Sequence, residues 1–168
     1  DGRELGYDYL VIATGTSPRP DQTPGMAEGE WYKSIFDFYT LDGAIALRDK
    51  LESWEGGRLV VHLVEMPIKC PVAPLEFTFL ADAFFAERGM RDRVEITYVT
   101  PLEGAFTQPV ASRHLGGMLD ERKIAIEGDF MVDRVDPDAR KLVSMDEREV
   151  PFDLLVTATS PGARGTGR

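Results

Sequence analysis

Apolar runs separated by helix-patterned stretches leave a chain few ways to fold. Tyr9-Leu10-Val11-Ile12-Ala13 and Arg58-Leu59-Val60-Val61-His62-Leu63-Val64 are apolar almost throughout, so each reads as a strand buried on both faces. Val94-Glu95-Ile96-Thr97-Tyr98-Val99 and Leu154-Leu155-Val156 read as further strands. Helical patterns lie between them. Leu41, Ala44, Leu47, Leu51 and Trp54 recur at three- and four-residue spacing, with Thr40 as the expected N-cap and Gly56-Gly57 as the stop. Pro74 suits the opening of a second helix, Leu75 to Arg88, closed by Gly89, and Pro109 the opening of a third that reaches Arg122. From Ile124 onward the chain reads as short strands, Ala125-Ile126, Phe130 to Val135 and Lys141 to Met145, joined by Gly128-Asp129 and Pro137-Asp138. Strand–helix alternation implies a parallel sheet with helices on its faces. The expected fold class is α/β, with an antiparallel β-meander appended to the parallel sheet.

Charge narrows the setting. Against 19 Lys+Arg stand 29 Asp+Glu, a formal net charge of −10 over 168 residues. That balance opposes nucleic-acid binding, which needs a concentrated basic face, and opposes attachment to an anionic membrane surface. A hydrophobic fraction of 43% is too high for a disordered chain. No apolar run approaches the ~20 residues that cross a bilayer. The single cysteine, Cys70, excludes an intrachain disulfide. Oligomeric state is not readable from any of these features.

The two ends carry one repeated unit. Asp1-Gly2-Arg3-Glu4-Leu5-Gly6-Tyr7-Asp8 reads as a hairpin, followed by the first apolar run and the exit Thr14-Gly15-Thr16-Ser17-Pro18-Arg19-Pro20. Asp146-Glu147-Arg148-Glu149-Val150-Pro151 leads likewise into Phe152-Asp153-Leu154-Leu155-Val156-Thr157-Ala158-Thr159. The expectation is a piece of a longer protein. Residues 1–20 would end a strand of a neighbouring domain, 21–150 would form a Rossmann-like unit, and 151–168 would be a return strand toward the neighbour.

A dinucleotide site after Val60–Val64 would need G-x-G-x-x-G in the next turn, for a tight turn, close pyrophosphate approach and close helix packing. The turn is instead Glu65-Met66-Pro67-Ile68-Lys69-Cys70-Pro71-Val72-Ala73-Pro74, and no glycine falls between Gly57 and Gly89. The next strand ends Tyr98-Val99-Thr100-Pro101, without the acidic residue that would hold a ribose hydroxyl. Both requirements for NAD(P) fail. A thiol stands in the turn, just before a helix and beside Lys69, and both neighbours favour thiolate. Pro67, Pro71 and Pro74 stiffen the loop around it. The bland alternative is a small buried hydrophobe. His62, inside an apolar strand, reads as a satisfied core histidine, and His114 as a surface residue. With one cysteine and two distant histidines, no metal site is expected. Asp146-Glu147-Arg148-Glu149 reads as a solvated turn, and Phe77, Phe79, Phe84 and Phe85 as core.

Taken together, the element order, the paired exits Asp8-Tyr9-Leu10-Val11-Ile12-Ala13-Thr14-Gly15 and Phe152 to Thr159, and the stretch Lys69-Cys70-Pro71-Val72-Ala73-Pro74-Leu75-Glu76-Phe77 resemble the pyridine nucleotide–disulfide oxidoreductase superfamily. The resemblance is to its inserted second domain, in the sulfide:quinone oxidoreductase branch. It implies FAD as the cofactor in the full-length protein, with Ala13, Thr14, Gly15, Pro67 and Lys69 near it, and Cys70 as a redox cysteine that carries sulfur. Sulfide, or another sulfur nucleophile, and a quinone would be the partners, and the second cysteine would lie outside this chain. The isolated chain would have no turnover and would bind FAD weakly or not at all. The parent would be a peripheral membrane protein of a prokaryote. Two alternatives carry different chemistry: a domain of a type II NADH:quinone dehydrogenase or other NAD(P)H-dependent flavoprotein, and a non-catalytic interaction domain with a structural cysteine.

Overall fold

A computed structural model describes residues 2–13 and 15–163. The elements run β1 (Thr16–Pro18), β2 (Ile35–Phe36), α1 (Leu41–Ser53), β3 (Gly57–Leu63), α2 (Ala73–Glu87), β4 (Val94–Val99), α3 (Pro109–Glu121), β5 (Ile124–Glu127), β6 (Val132–Asp136), β7 (Lys141–Ser144), β8 (Glu149–Pro151), β9 (Leu154–Ala158) and β10 (Pro161–Ala163). Strands β2, β9, β3, β4 and β5 form a parallel sheet in that order, β6, β7 and β8 an antiparallel meander, and β1 pairs antiparallel with β10. The fold is α/β, as the alternation implies.

Side-chain alternation along β3 sets the layers. Leu59 and Val61 face the helices, where they meet Leu47 of α1, Leu75, Ala81 and Phe85 of α2, and Leu119 of α3. Val60 and Val64 face the other way, against Phe130, Val135, Leu142, Val150 and Phe152 of the meander region. Helices therefore cover one face of the sheet, and the meander covers the other. The expectation of helices on both faces is corrected here: a sheet apolar on both sides can bury its second face under strands as well as under helices.

Three further expectations change. Residues 124–127, read as part of the meander, pair in parallel with β4 and form the edge of the main sheet. The return strand expected within 151–168 is, over Leu154–Ala158, an inner strand of the same sheet, paired with β2 and β3. The run Tyr9–Ala13 forms no strand, and among the described residues no hairpin precedes it. Tyr9, Val11 and Ile12 are 94%, 86% and 75% exposed, because no strand of this sheet pairs with the run. Thr14 and Asp1 lie outside the described residues. Helix expectations hold closely: Thr40 Oγ1 accepts the Gly43 N–H at 2.9 Å as the N-cap of α1, and Pro74 stands in the first turn of α2.

One clamp joins the starts of β3 and β9. The Asp153 carboxylate accepts from the Arg58 backbone N–H at 2.8 Å and from its guanidinium at 2.9 and 3.1 Å. Gly57, at φ +125°, makes this approach possible, since a Cβ there would sit 2.8 Å from Asp153 Oδ2. Gly57→Ala is expected to lower stability by about 1–3 kcal/mol through backbone strain and that collision. Gly117→Ala, in α3 with open space around it, should raise stability by about 0.5–1 kcal/mol. Opposite shifts of the urea midpoint check the pair.

Candidate functional site

In open α/β sheets, ligands bind beyond the carboxyl ends of the strands, where the connections diverge. Here a cleft of about 390 Å³ opens at that edge. Thr159, just past β9, Lys69 in the β3–α2 turn, and Asp37, Tyr39 and Thr40 after β2 line it. The paired exits reach the same place: Thr16 and Pro18 of β1 are lining residues, and the Arg19 N–H donates to Thr159 Oγ1 at 3.1 Å and to the Ser160 carbonyl at 3.0 Å. The two repeated exits of the sequence are thus partners in space.

The floor of the cleft is a buried carboxylate held by neutral donors. Asp37 Oδ1 accepts the backbone N–H groups of Tyr39 and Thr40, each at 2.8 Å, and Oδ2 accepts the Tyr32 hydroxyl at 3.0 Å. The Thr40 hydroxyl, 3.1 Å from both oxygens, also caps α1. A Cβ on Gly43 would collide with this carboxylate. Asp37 and Tyr39 were not singled out by sequence; the signal was a D-x-x-T pair just ahead of a helical period, of which only the Thr40 cap was read.

The turn after β3 is unlike a phosphate cradle. Its Met66–Pro67 peptide is cis. At the entry to α2, the Ala73 N–H is already donated to the Cys70 carbonyl at 3.1 Å, and Pro74 has no N–H to offer. Side chains occupy the turn where glycines would let a pyrophosphate approach. These residues do not fit a bound nicotinamide dinucleotide at this turn.

Cys70 is exposed and free, and it adopts φ +56°, a left-handed conformation that costs a side-chain-bearing residue about 1 kcal/mol or more. Its carbonyl accepts a second hydrogen bond, from the Tyr39 hydroxyl at 3.1 Å. Burial pushes the Tyr39 phenol up to about 12, with the neighbouring Cys70 adding to the shift, so Tyr39 stays a donor at neutral pH.

Of the expected cofactor-side residues, Lys69 lines the cleft and Pro67 is exposed in the same turn. Gly15, at φ +75°, directly precedes β1, and Ala13 is exposed; Thr14 lies outside the described residues. Among the described residues, no group of His, Cys, Asp or Glu is arranged to hold a metal ion, and no helix is long and apolar enough to cross a membrane.

His62 is not fully satisfied. It is completely buried on the meander side of β3; Nδ1 lies 3.3 Å from Thr157 Oγ1, and Nε2 has no partner. The expectation of a satisfied core histidine holds for its burial and fails for one nitrogen.

No family model matches the chain. It is similar to mitochondrial sulfide:quinone oxidoreductases, with 26% identity to that of Mus musculus over 92% of this chain and 36% of the relative. Identity to the Dictyostelium discoideum enzyme is 27%, over 74% of this chain and 28% of the relative. The chain therefore spans about a third of these relatives. Among solved structures, the sulfide:quinone oxidoreductase of Aquifex aeolicus superposes with a TM-score of 0.78 at 22% identity, over 98% of this chain and 38% of that one. An NAD-dependent persulfide reductase from A. fulgidus gives 0.63 at 21% identity, over 95% and 27%.

Burial pushes the His62 pKa from 6.5 down to about 3, so the imidazole stays neutral in the folded state. Between those values the unfolded chain binds a proton that the folded chain does not. Stability is therefore whole above pH 6.5 and falls as pH drops toward 3, by up to about 1.4 kcal/mol per unit from this residue. His62→Leu should remove that slope from urea midpoints measured across the range.

Proposed function

We propose that this chain is the inserted, Rossmann-like domain of an FAD-dependent sulfide:quinone oxidoreductase-like enzyme, and that it contributes Cys70 as a redox cysteine. The observation that carries this reading is the exposed Cys70 in the glycine-free turn after β3, at the ligand-binding edge of the sheet. The similarity to sulfide:quinone oxidoreductases, covering most of the chain, supports it.

What fits FAD here is the surface offered to it. Tyr9, Val11 and Ile12 present apolar side chains to solvent, suited to pairing in a neighbouring sheet. In sequence, Ala13, Thr14 and Gly15 come just before β1, and Pro67 and Lys69 precede Cys70 in its turn. These five would hold the isoalloxazine side of the site. When bound, FAD supplies the two-electron acceptor that is later reoxidised by quinone.

The chain's own part is sulfur transfer. In the oxidised enzyme, Cys70 Sγ is bonded to the sulfur of a second cysteine contributed by another part of the protein. Hydrosulfide attacks Cys70 Sγ, one S–S bond forms as the other breaks, and the second cysteine leaves as a thiolate with the electron pair. Cys70 then holds the persulfide. Exposure of Cys70 allows entry of a small nucleophile.

In the full-length enzyme, Cys70→Ser should abolish sulfide-dependent quinone reduction while flavin content stays stoichiometric. NADH should neither bind at micromolar concentration nor reduce the flavin. Sulfide turnover in the Ser variant, or flavin reduction by NADH, would overturn the reading. The 168-residue chain alone should purify colourless.

A further inference from the structure

Tyr39 lies on a rigid aromatic ladder. Its ring stacks on Phe38 with centroids 4.9 Å apart, and Phe38 stacks on Phe77 of α2 at 5.1 Å and 11°. Its backbone N–H is held by the buried Asp37 carboxylate. Both ends of the residue are thus fixed, one by the cap of α1 and one by the flank of α2. From this position its hydroxyl reaches across the cleft edge to the carbonyl of Cys70.

That carbonyl is where the turn is decided. It accepts the first N–H of α2 from one side and the Tyr39 hydroxyl from the other, while Cys70 itself sits at φ +56°. Left-handed backbone is unfavourable for cysteine, so it persists only where surrounding bonds over-determine it. Rotation about the N–Cα bond of Cys70 would carry this carbonyl away from both donors and re-aim the Cα–Cβ bond that carries Sγ. Pro71 fixes the φ on its own side of the 70–71 peptide, and neither it nor Pro67 fixes the φ of Cys70.

We propose that Tyr39 is a positioning residue for Cys70: its hydroxyl clamps the Cys70 carbonyl and fixes the backbone that presents Sγ on the open side of the turn. The consequence for turnover rests on Cys70 being the redox cysteine; the clamp itself does not. Phenylalanine at 39 keeps the stack and removes only the donor.

The test uses the full-length holoenzyme with sodium sulfide and a soluble quinone for turnover, and the same enzyme, reduced beforehand and freed of reductant, with iodoacetamide as a thiol probe. Tyr39→Phe should lower kcat about fivefold, the loss expected for one net hydrogen bond, with the quinone KM unchanged and the melting temperature lower by no more than a few degrees. The rate of Cys70 alkylation should rise by a similar factor as the turn is released. Replacing Tyr39 by p-aminophenylalanine, which restores a donor at the same reach, should recover both values. Alkylation and kcat both within twofold of the unsubstituted enzyme would overturn the clamp while leaving the role of Cys70 intact. Faster alkylation with sulfide turnover retained in Cys70→Ser would uphold the clamp and overturn the role of the thiol. Should Tyr39→Phe lose its flavin, the p-aminophenylalanine enzyme still decides: normal kcat and alkylation there support a donor requirement, and abnormal values refute it.

Discussion

Burial of β3 on all sides is the constraint from which the rest of the structure follows. It pairs with β9 on one edge and β4 on the other, while its two faces meet the helices and the meander. Such a strand has no freedom to shift register without exposing a face. Its exit is therefore fixed in space, and with it the start of the turn that carries Cys70. The Asp153–Arg58 clamp pins the strand's beginning, and the Val64 N–H continues the ladder to the Ala158 carbonyl at 3.1 Å.

The chemistry of the turn is the reverse of what a dinucleotide site uses. A phosphate cradle needs free N–H groups and room for a backbone to approach anions. Here the left-handed position that glycine would occupy at no cost is held by a cysteine, and hydrogen bonds from α2 and Tyr39 hold it there. The same scaffold edge thus offers a fixed thiol where relatives of the fold can offer a pyrophosphate pocket. The cleft beside it keeps its volume, walled by Asp37, Tyr39, Thr40 and the paired exits.

The helices and the strands from Gly57 to Val99 were legible because period and caps agree with burial there: Thr40, Pro74 and Pro109 all stand at helix starts. The partner of each strand was not legible. Leu154–Ala158 looks the same in sequence whether it returns to a neighbour or enters this sheet, since a two-sided apolar run carries no information about which strand lies beside it. Ile124–Glu127 was misassigned for a related reason, as four residues with one polar side chain suit the edge of a parallel sheet as well as a meander. In the candidate site, Cys70 and Lys69 stood out as residue types replacing an expected pattern. Tyr39 did not, because a hydrogen bond across 31 positions to a backbone carbonyl leaves no trace in spacing.

The central claim is that sulfur is carried on Cys70. Its most direct measurement is rapid quench of the oxidised full-length enzyme after one equivalent of sulfide, followed by alkylation of persulfides and peptide mass spectrometry. The account predicts that the peptide containing Cys70 gains the mass of one sulfur atom, trapped as an alkylated persulfide. A Cys70 peptide that remains an unmodified thiol, while sulfane sulfur appears elsewhere in the same enzyme, would contradict it.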